Sequence, residues 1–116
     1  MVGDLNIAPL EDDVWSHKQL SNVVSHTSIE IESLNGVRES GEFIDIIRKD
    51  TPEGKLYSWW SYRSPNWELS NRGRRLDHIW ATKDIVSNEN SSFILKNTRS
   101  WERPSDHVPV FAEFCL

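Results

Sequence analysis

Six tryptophans, four phenylalanines and two tyrosines stand in a chain of only 116 residues. Rings of that size settle in water only when much of their surface is covered, so the chain must fold around a core rather than stay disordered. Aliphatic filler is scarce, however. Hydrophobic residues make up 37% and charged residues 27%, and the mean hydropathy of −0.57 is polar for a small domain. A chain this short buries a modest share of its surface. The length fits one soluble domain, but the aromatic content exceeds what its core would need.

Other global features narrow the class. No apolar run approaches the roughly 18–20 residues that a membrane span requires, so no membrane partner is expected. The opening Met1-Val2-Gly3-Asp4-Leu5-Asn6 has neither a basic nor an apolar leader region. A single Cys115 removes any disulfide framework or cysteine-based zinc site. A reducing cytoplasm is the expected compartment.

Charge is divided unevenly. The first 56 residues carry 11 acidic and 5 basic side chains, the rest 7 and 8. The later basic residues gather at Arg63 and at Arg72, Arg74 and Arg75. Local arrays of arginine bind polyanions whatever the global charge, although from charge alone a solvated loop is the simpler explanation. The net charge of −5 therefore leaves nucleic acid open as a partner.

Along the chain, Met1–Leu5 reads as the end of a strand entering a polar loop, Asn6 to Asp13. Thr27-Ser28-Ile29-Glu30 is a capping box, and Ile31, Leu34 and Val37 follow at helical spacing, which predicts a helix over about 28–40. Phe43 to Arg48 is a short apolar piece, helix or strand. Pro52-Glu53-Gly54 is a turn. Tyr57 to Tyr62 is aromatic and β-prone, hence a strand. Pro65 to Gly73 reads as a loop, and Arg75–Ala81, Phe93–Thr98 and Val108–Phe114 as strands, with Arg99–Asp106 a loop between the last two. Pro109 marks an edge or entry position. Mixed strands with a flanking helix predict an α/β or α+β fold.

Three polar features sit at strand ends. In Gly3-Asp4-Leu5-Asn6, strand alternation would aim Asp4 and Asn6 at one ligand, though both are also ordinary turn residues. Asp77 interrupts an apolar strand, where an acid needs a partner; Arg75 on the same face is one option. Ser105-Asp106-His107 opens the final strand, and His107 taken singly could be a surface imidazole. Together these residues supply hard oxygen ligands and a titratable base, a set suited to a divalent cation beside a general acid/base.

Several segments occur in a specific order: Gly3-Asp4-Leu5-Asn6-Ile7-Ala8-Pro9, Asp13-Val14, Arg48-Lys49, Tyr57 to Arg63, Asn71-Arg72-Gly73-Arg74-Arg75-Leu76-Asp77, and Arg103-Pro104-Ser105-Asp106-His107-Val108-Pro109-Val110. In this the chain resembles the C-terminal half of exodeoxyribonuclease III-type AP endonucleases, of the endonuclease/exonuclease/phosphatase superfamily. The resemblance covers essentially all 116 residues. It implies a partial domain over 1–116, the C-terminal half of a four-layer α/β sandwich: roughly one mixed, mainly antiparallel sheet with a flanking helix.

It also implies roles. Asp4 would orient or deprotonate the attacking water, and Asn6 would help position it. Asp106 would place the metal, with Asp4, Asn6 and His107 contributing to that site. His107 would contact the scissile phosphate, and Asp77 would fix its tautomer. The implied cofactor is Mg²⁺, with Mn²⁺ as a substitute. Charged donors aimed at developing phosphate charge are worth about 3–4 kcal/mol each. Trp59, and with it Trp60 and Leu76, would line a pocket for an abasic deoxyribose, although alternation makes one of the two tryptophans core. Arg63, Arg72 and Arg74 would hold flanking phosphates of double-stranded DNA, a contact that is salt-dependent and blind to sequence. Ile46, Ile47, Trp80 and Thr82 depart from the family at positions without a chemical role.

The family's N-terminal half, which carries the main metal-binding Glu, has no counterpart in this sequence, and Met1 falls where an interior strand position is expected. The expected activities are AP-endonuclease and 3′–5′ exodeoxyribonuclease on duplex DNA with abasic sites or 3′ ends. The 116-residue chain alone is expected to be inactive and to seek the other half of the fold as a partner. The alternatives are another phosphatase or RNA nuclease of the superfamily, or a non-catalytic DNA-binding remnant. On this reading some of the surplus rings belong to a substrate pocket and others to a core shared with that half.

Overall fold

The computed structural model describes residues 1–116. Its centre is a strand, β5 (Asp77–Thr82), flanked on both sides by antiparallel neighbours: β1 (Val2–Asp4) and β2 (Phe43–Asp45). Two further antiparallel pairs complete the β-structure, β3 (Trp59–Trp60) with β4 (Gly73–Arg74), and β6 (Glu89–Ile94) with β7 (Val110–Phe114). The mixed α/β expectation holds, with antiparallel pairing throughout, divided among three sheets.

Helix α2 (Ser28–Ser40) follows the short α1 (His17–Leu20). Thr27 and Glu30 close the α2 N-terminus as the expected capping box, and Leu34 is its buried contact. The ambiguous apolar piece is both things in turn. It runs as β2 until Asp45, whose side chain caps α3 (Ile46–Asp50) by accepting from the Arg48 backbone N–H.

Other boundaries moved. The aromatic strand contracts to Trp59–Trp60, because its partner β4 is only two residues long. The segment expected as a loop before Gly73 contains a helical turn, α4 (Trp67–Ser70), capped by Asn66 and ended by Asn71 at φ 47°. The last two elements expected as strands also shift: β6 runs over Glu89–Ile94, with Lys96–Ser100 wound into a 3-10 turn, and β7 begins at Val110. The four-residue α1 and α5 (Lys83–Val86) went unread, since one turn shows no periodicity. Gly73 is obligatory for packing: a Cβ there would lie 2.4 Å from the Tyr57 ring.

Two apolar clusters meet beside the site. Ala8, Val14, Leu20 and Leu76 form one, and Tyr57, Trp60 and Val108 the other, with Trp15 packed against both. The loop from Asn6 to Val14 is pinned by charge. Buried Asp13 receives Arg75 Nε at 2.7 Å and Nη2 at 3.0 Å, and Arg48 Nη2 at 2.6 Å. Arg75 turns its other edge to Asp45, at 3.0 and 2.8 Å. Burial alone would push the Asp13 carboxyl up. The hydrogen bonds and charges of Arg75 and Arg48 outweigh it and hold the pKa below the usual aspartate value. Two acids against two bases make the network neutral, the condition under which charges survive burial.

Candidate active site

The register of β1 on β5 places Asp4 directly opposite Asp77. Like charges face to face across a ladder are destabilising, and violations of this sort concentrate where chemistry is done. A bridge between Trp59 and His107 brings the third group alongside. Asp4, Asp77 and His107 thus present ligand atoms within 4.8 Å of one another.

The hydrogen bonds give this cluster a direction. Ser58 Oγ donates to Asp77 Oδ2 at 2.6 Å and accepts from the Leu76 and Asp77 backbone N–H groups at 3.0 and 3.1 Å. His107 Nδ1 lies 2.8 Å from the same Asp77 oxygen. A carboxylate only accepts, so Nδ1 carries the proton and Nε2 is left free. Nε2 stands 3.6 Å from Asp4 Oδ2. The chain Ser58–Asp77–His107–Asp4 therefore runs from a fully buried hydroxyl to a half-exposed carboxylate. Asp77 does not pair with Arg75, which is committed to Asp13 and Asp45.

Asn6 departs from the alternation argument. The strand ends at Asp4, and Asn6 sits at φ 55° with its backbone N–H donating to Asp4 Oδ1 at 2.9 Å. What it gives the site is a turn that fixes one oxygen of Asp4 and leaves the other free. Asp106 lies outside the cluster: its Oδ2 accepts from the Trp59 indole at 3.0 Å. Among the residues expected to form the metal site, Asp4 and His107 converge, with Asp77 beside them.

The two neighbouring tryptophans separate cleanly. Trp60 is buried, with its Nε1 on Asn71 Oδ1 at 3.0 Å. Trp59 faces a cleft of about 460 Å³ whose walls include Trp15, Arg63, Arg72 and Arg74. Leu76 lies in the core beneath Trp59. The Arg72 guanidinium lies 4.7 Å over the Trp15 ring and that of Arg74 5.3 Å over Trp59, contacts that hold flexible cations in place. Arg74 also donates to Val24 O at 3.0 Å and Ser25 Oγ at 2.7 Å, while Arg63 and Arg72 are exposed.

Sequence reasoning missed Ser58 and Trp15. Ser58 offered one signal, a small hydroxyl residue inside an aromatic strand.

A hard divalent cation fits this donor set in part. Asp4 keeps one oxygen unbonded and accessible, whereas Asp77 Oδ2 is already shared by Ser58 and His107. Magnesium seeks six oxygens in an octahedron, and this chain alone supplies few.

The geometry has counterparts. A model of the endonuclease/exonuclease/phosphatase family matches residues 1–107. The exodeoxyribonuclease III of Haemophilus influenzae is 38% identical over 71 residues, covering 60% of this chain and 26% of that protein. An AP endonuclease from Archaeoglobus fulgidus superposes with a TM-score of 0.94 at 31% identity, over 99% of this chain and 44% of the other. A 3′ phosphatase, NExo from Neisseria bound to a product DNA hairpin, gives 0.92 at 31% identity, over 99% and 44%. The chain spans less than half the length of the relatives it matches. With the family match running from β1 through the site imidazole, the chain belongs to the endonuclease/exonuclease/phosphatase family.

Proposed function

We propose that this chain is the phosphate-handling portion of a DNA-repair phosphodiesterase that cleaves duplex DNA at abasic sites and from 3′ ends by attack of water on phosphorus. The observation that carries this reading is the directed chain from Ser58 through Asp77 and His107 to Asp4, opening beside a cleft of aromatic and arginine side chains. The likeness to an exodeoxyribonuclease III and to an AP endonuclease supports it.

Each residue has a part. Asp77, held by Ser58, keeps the His107 proton on Nδ1, so that Nε2 meets the water as a lone pair, and the phosphate as a donor once protonated. Asp4 Oδ2, with no hydrogen bond of its own, accepts the proton of the attacking water. Arg63, Arg72 and Arg74 hold the flanking phosphates, and Trp59 forms the apolar wall that admits a sugar without its base. A divalent cation, Mg²⁺ or Mn²⁺, would neutralise the non-bridging oxygens when bound, with Asp4 giving part of its shell. The rest of the shell comes from carboxylates outside these residues, so the isolated chain is inactive. Its natural partner is the other half of the family fold.

The test joins residues 1–116 to the N-terminal portion of the Haemophilus influenzae exodeoxyribonuclease III and follows incision of an abasic duplex. The fusion cleaves in Mg²⁺, the isolated chain does not, and His107→Ala or Asp4→Asn lowers the rate by about 10²-fold or more. Unchanged incision in both variants overturns the assignment. The likeness to a 3′ phosphatase favours a second reading within the same site, and release of phosphate from a 3′-phosphorylated end, without abasic incision, would select it.

A further inference from the structure

The face of β5 opposite Asp77 and Ile79 carries His78 and Trp80. Helix α3 packs on this strand and α2 on β2. Between them lies a cavity of about 300 Å³ with Leu10, Phe43 and Trp80 as apolar walls and Asn35, Arg38 and Arg48 as polar ones. That volume is at the small end of ligand sites.

What distinguishes this cavity is the state of its polar groups. The acid at its edge, Asp45, is committed to Arg75 and to the Arg48 backbone N–H. The lysine beside it, Lys49, is committed to Asp50 and Glu89. The groups left over are donors but for the oxygen of one amide. Trp80 Nε1 and Arg48 Nε are buried without an acceptor, although buried N–H groups in folded proteins are almost always paired. Arg38, half-buried on α2, makes no hydrogen bond or ion pair, and Asn35 one turn earlier uses neither end of its amide.

We propose that this cavity is a second binding site, for a small organic anion whose carboxylate or phosphate meets Arg38 and Asn35 and whose flat apolar body lies against Phe43 and Trp80. An uncompensated guanidinium beside unpaired N–H groups selects an oxyanion, to which arginine binds in two-pronged fashion. The apolar walls add burial that an organic body gains and a bare inorganic ion does not. The site lies across the sheet from Asp4 and His107 and does not depend on their role.

The experiment uses the 116-residue chain labelled with ¹⁵N, following the Trp80 indole N–H, identified by its loss in Trp80→Phe. Phenyl phosphate and benzoate are the probes, and benzyl alcohol is the neutral control. Saturable shifts at Trp80 and Arg38 are expected with the anions at up to about 10 mM and not with the alcohol. Stronger binding of phenyl phosphate identifies a phosphate ester as the ligand class, and stronger binding of benzoate a carboxylate. Arg38→Gln, on the solvent side of α2, weakens the preferred probe about tenfold or more while the α2 resonances stay in place. No saturable shift with either anion, an equal response to benzyl alcohol, or unaltered binding by Arg38→Gln overturns the proposal.

Discussion

Replacing Ser58 with alanine would strand three groups at once. The Leu76 and Asp77 N–H groups lose their acceptor and Asp77 Oδ2 loses its buried donor. The expected cost is about 1–3 kcal/mol of stability, read from urea unfolding, and the ring resonances of His107, whose orientation rests on that carboxylate, should move in the variant's NMR spectrum. A Ser58→Thr variant that keeps the hydroxyl should recover most of both. Asp4, Asp77 and His107 were legible in the sequence only as a set, since each alone also reads as a turn residue, a paired acid or a surface imidazole. Ser58 was not, since a small residue among aromatics reads as strand filler until a partner strand is placed beside it. The neighbouring pair Trp59 and Trp60 was legible only as a choice between them. The backbone pairing of β3 decides it, turning Trp60 inward.

At the level of elements, the loop that carries Asn6 to Val14 has no regular structure beyond a single 3-10 turn at Glu11–Asp13, yet it fixes one oxygen of Asp4 and packs Ala8 and Val14 into the core beneath Trp59. Its anchor is Asp13. Asp13→Asn would leave two guanidinium groups buried with one formal charge too few, at an expected cost of about 3–5 kcal/mol. The sign with pH follows from the lowered pKa. The carboxylate binds fewer protons folded than unfolded, so its contribution is complete above the ordinary value of 3.8 and is lost as pH falls through the depressed folded value. Unfolding midpoints at pH 7 and pH 3 should therefore differ more in the wild type than in Asp13→Asn. The capping box made α2 legible to the residue. The anchoring network was not, because Asp13, Asp45, Arg48 and Arg75 meet only in three dimensions, and the register that unites them belongs to β5.

The whole molecule measures 43 × 33 × 22 Å, and along it runs a groove lined by Val2, Ile79, Val110 and Phe111. Val2 is 71% exposed and Phe111 44%. Apolar surface gathered in this way drives association. The isolated chain should sediment as larger species as its concentration rises, and Val2→Ser with Phe111→Ser should shift it toward the monomer. Such a groove was foreseeable from the surplus of rings over filler, and its position was not, since that follows from how β1, β5 and β7 lie together. The Arg75 fork has a temporal consequence as well. It joins residues 62 apart to one another, and the site needs His107 besides. Local helices such as α2 form quickly, whereas contacts of such span wait on loop closure. During synthesis the capped helix can be in place early, while the cluster of Asp4, Asp77 and His107 stays unmade until His107 has left the ribosome and found β5. Until that docking, Asp4 and Asp77 face each other across the ladder without the imidazole that lies between them in the finished fold.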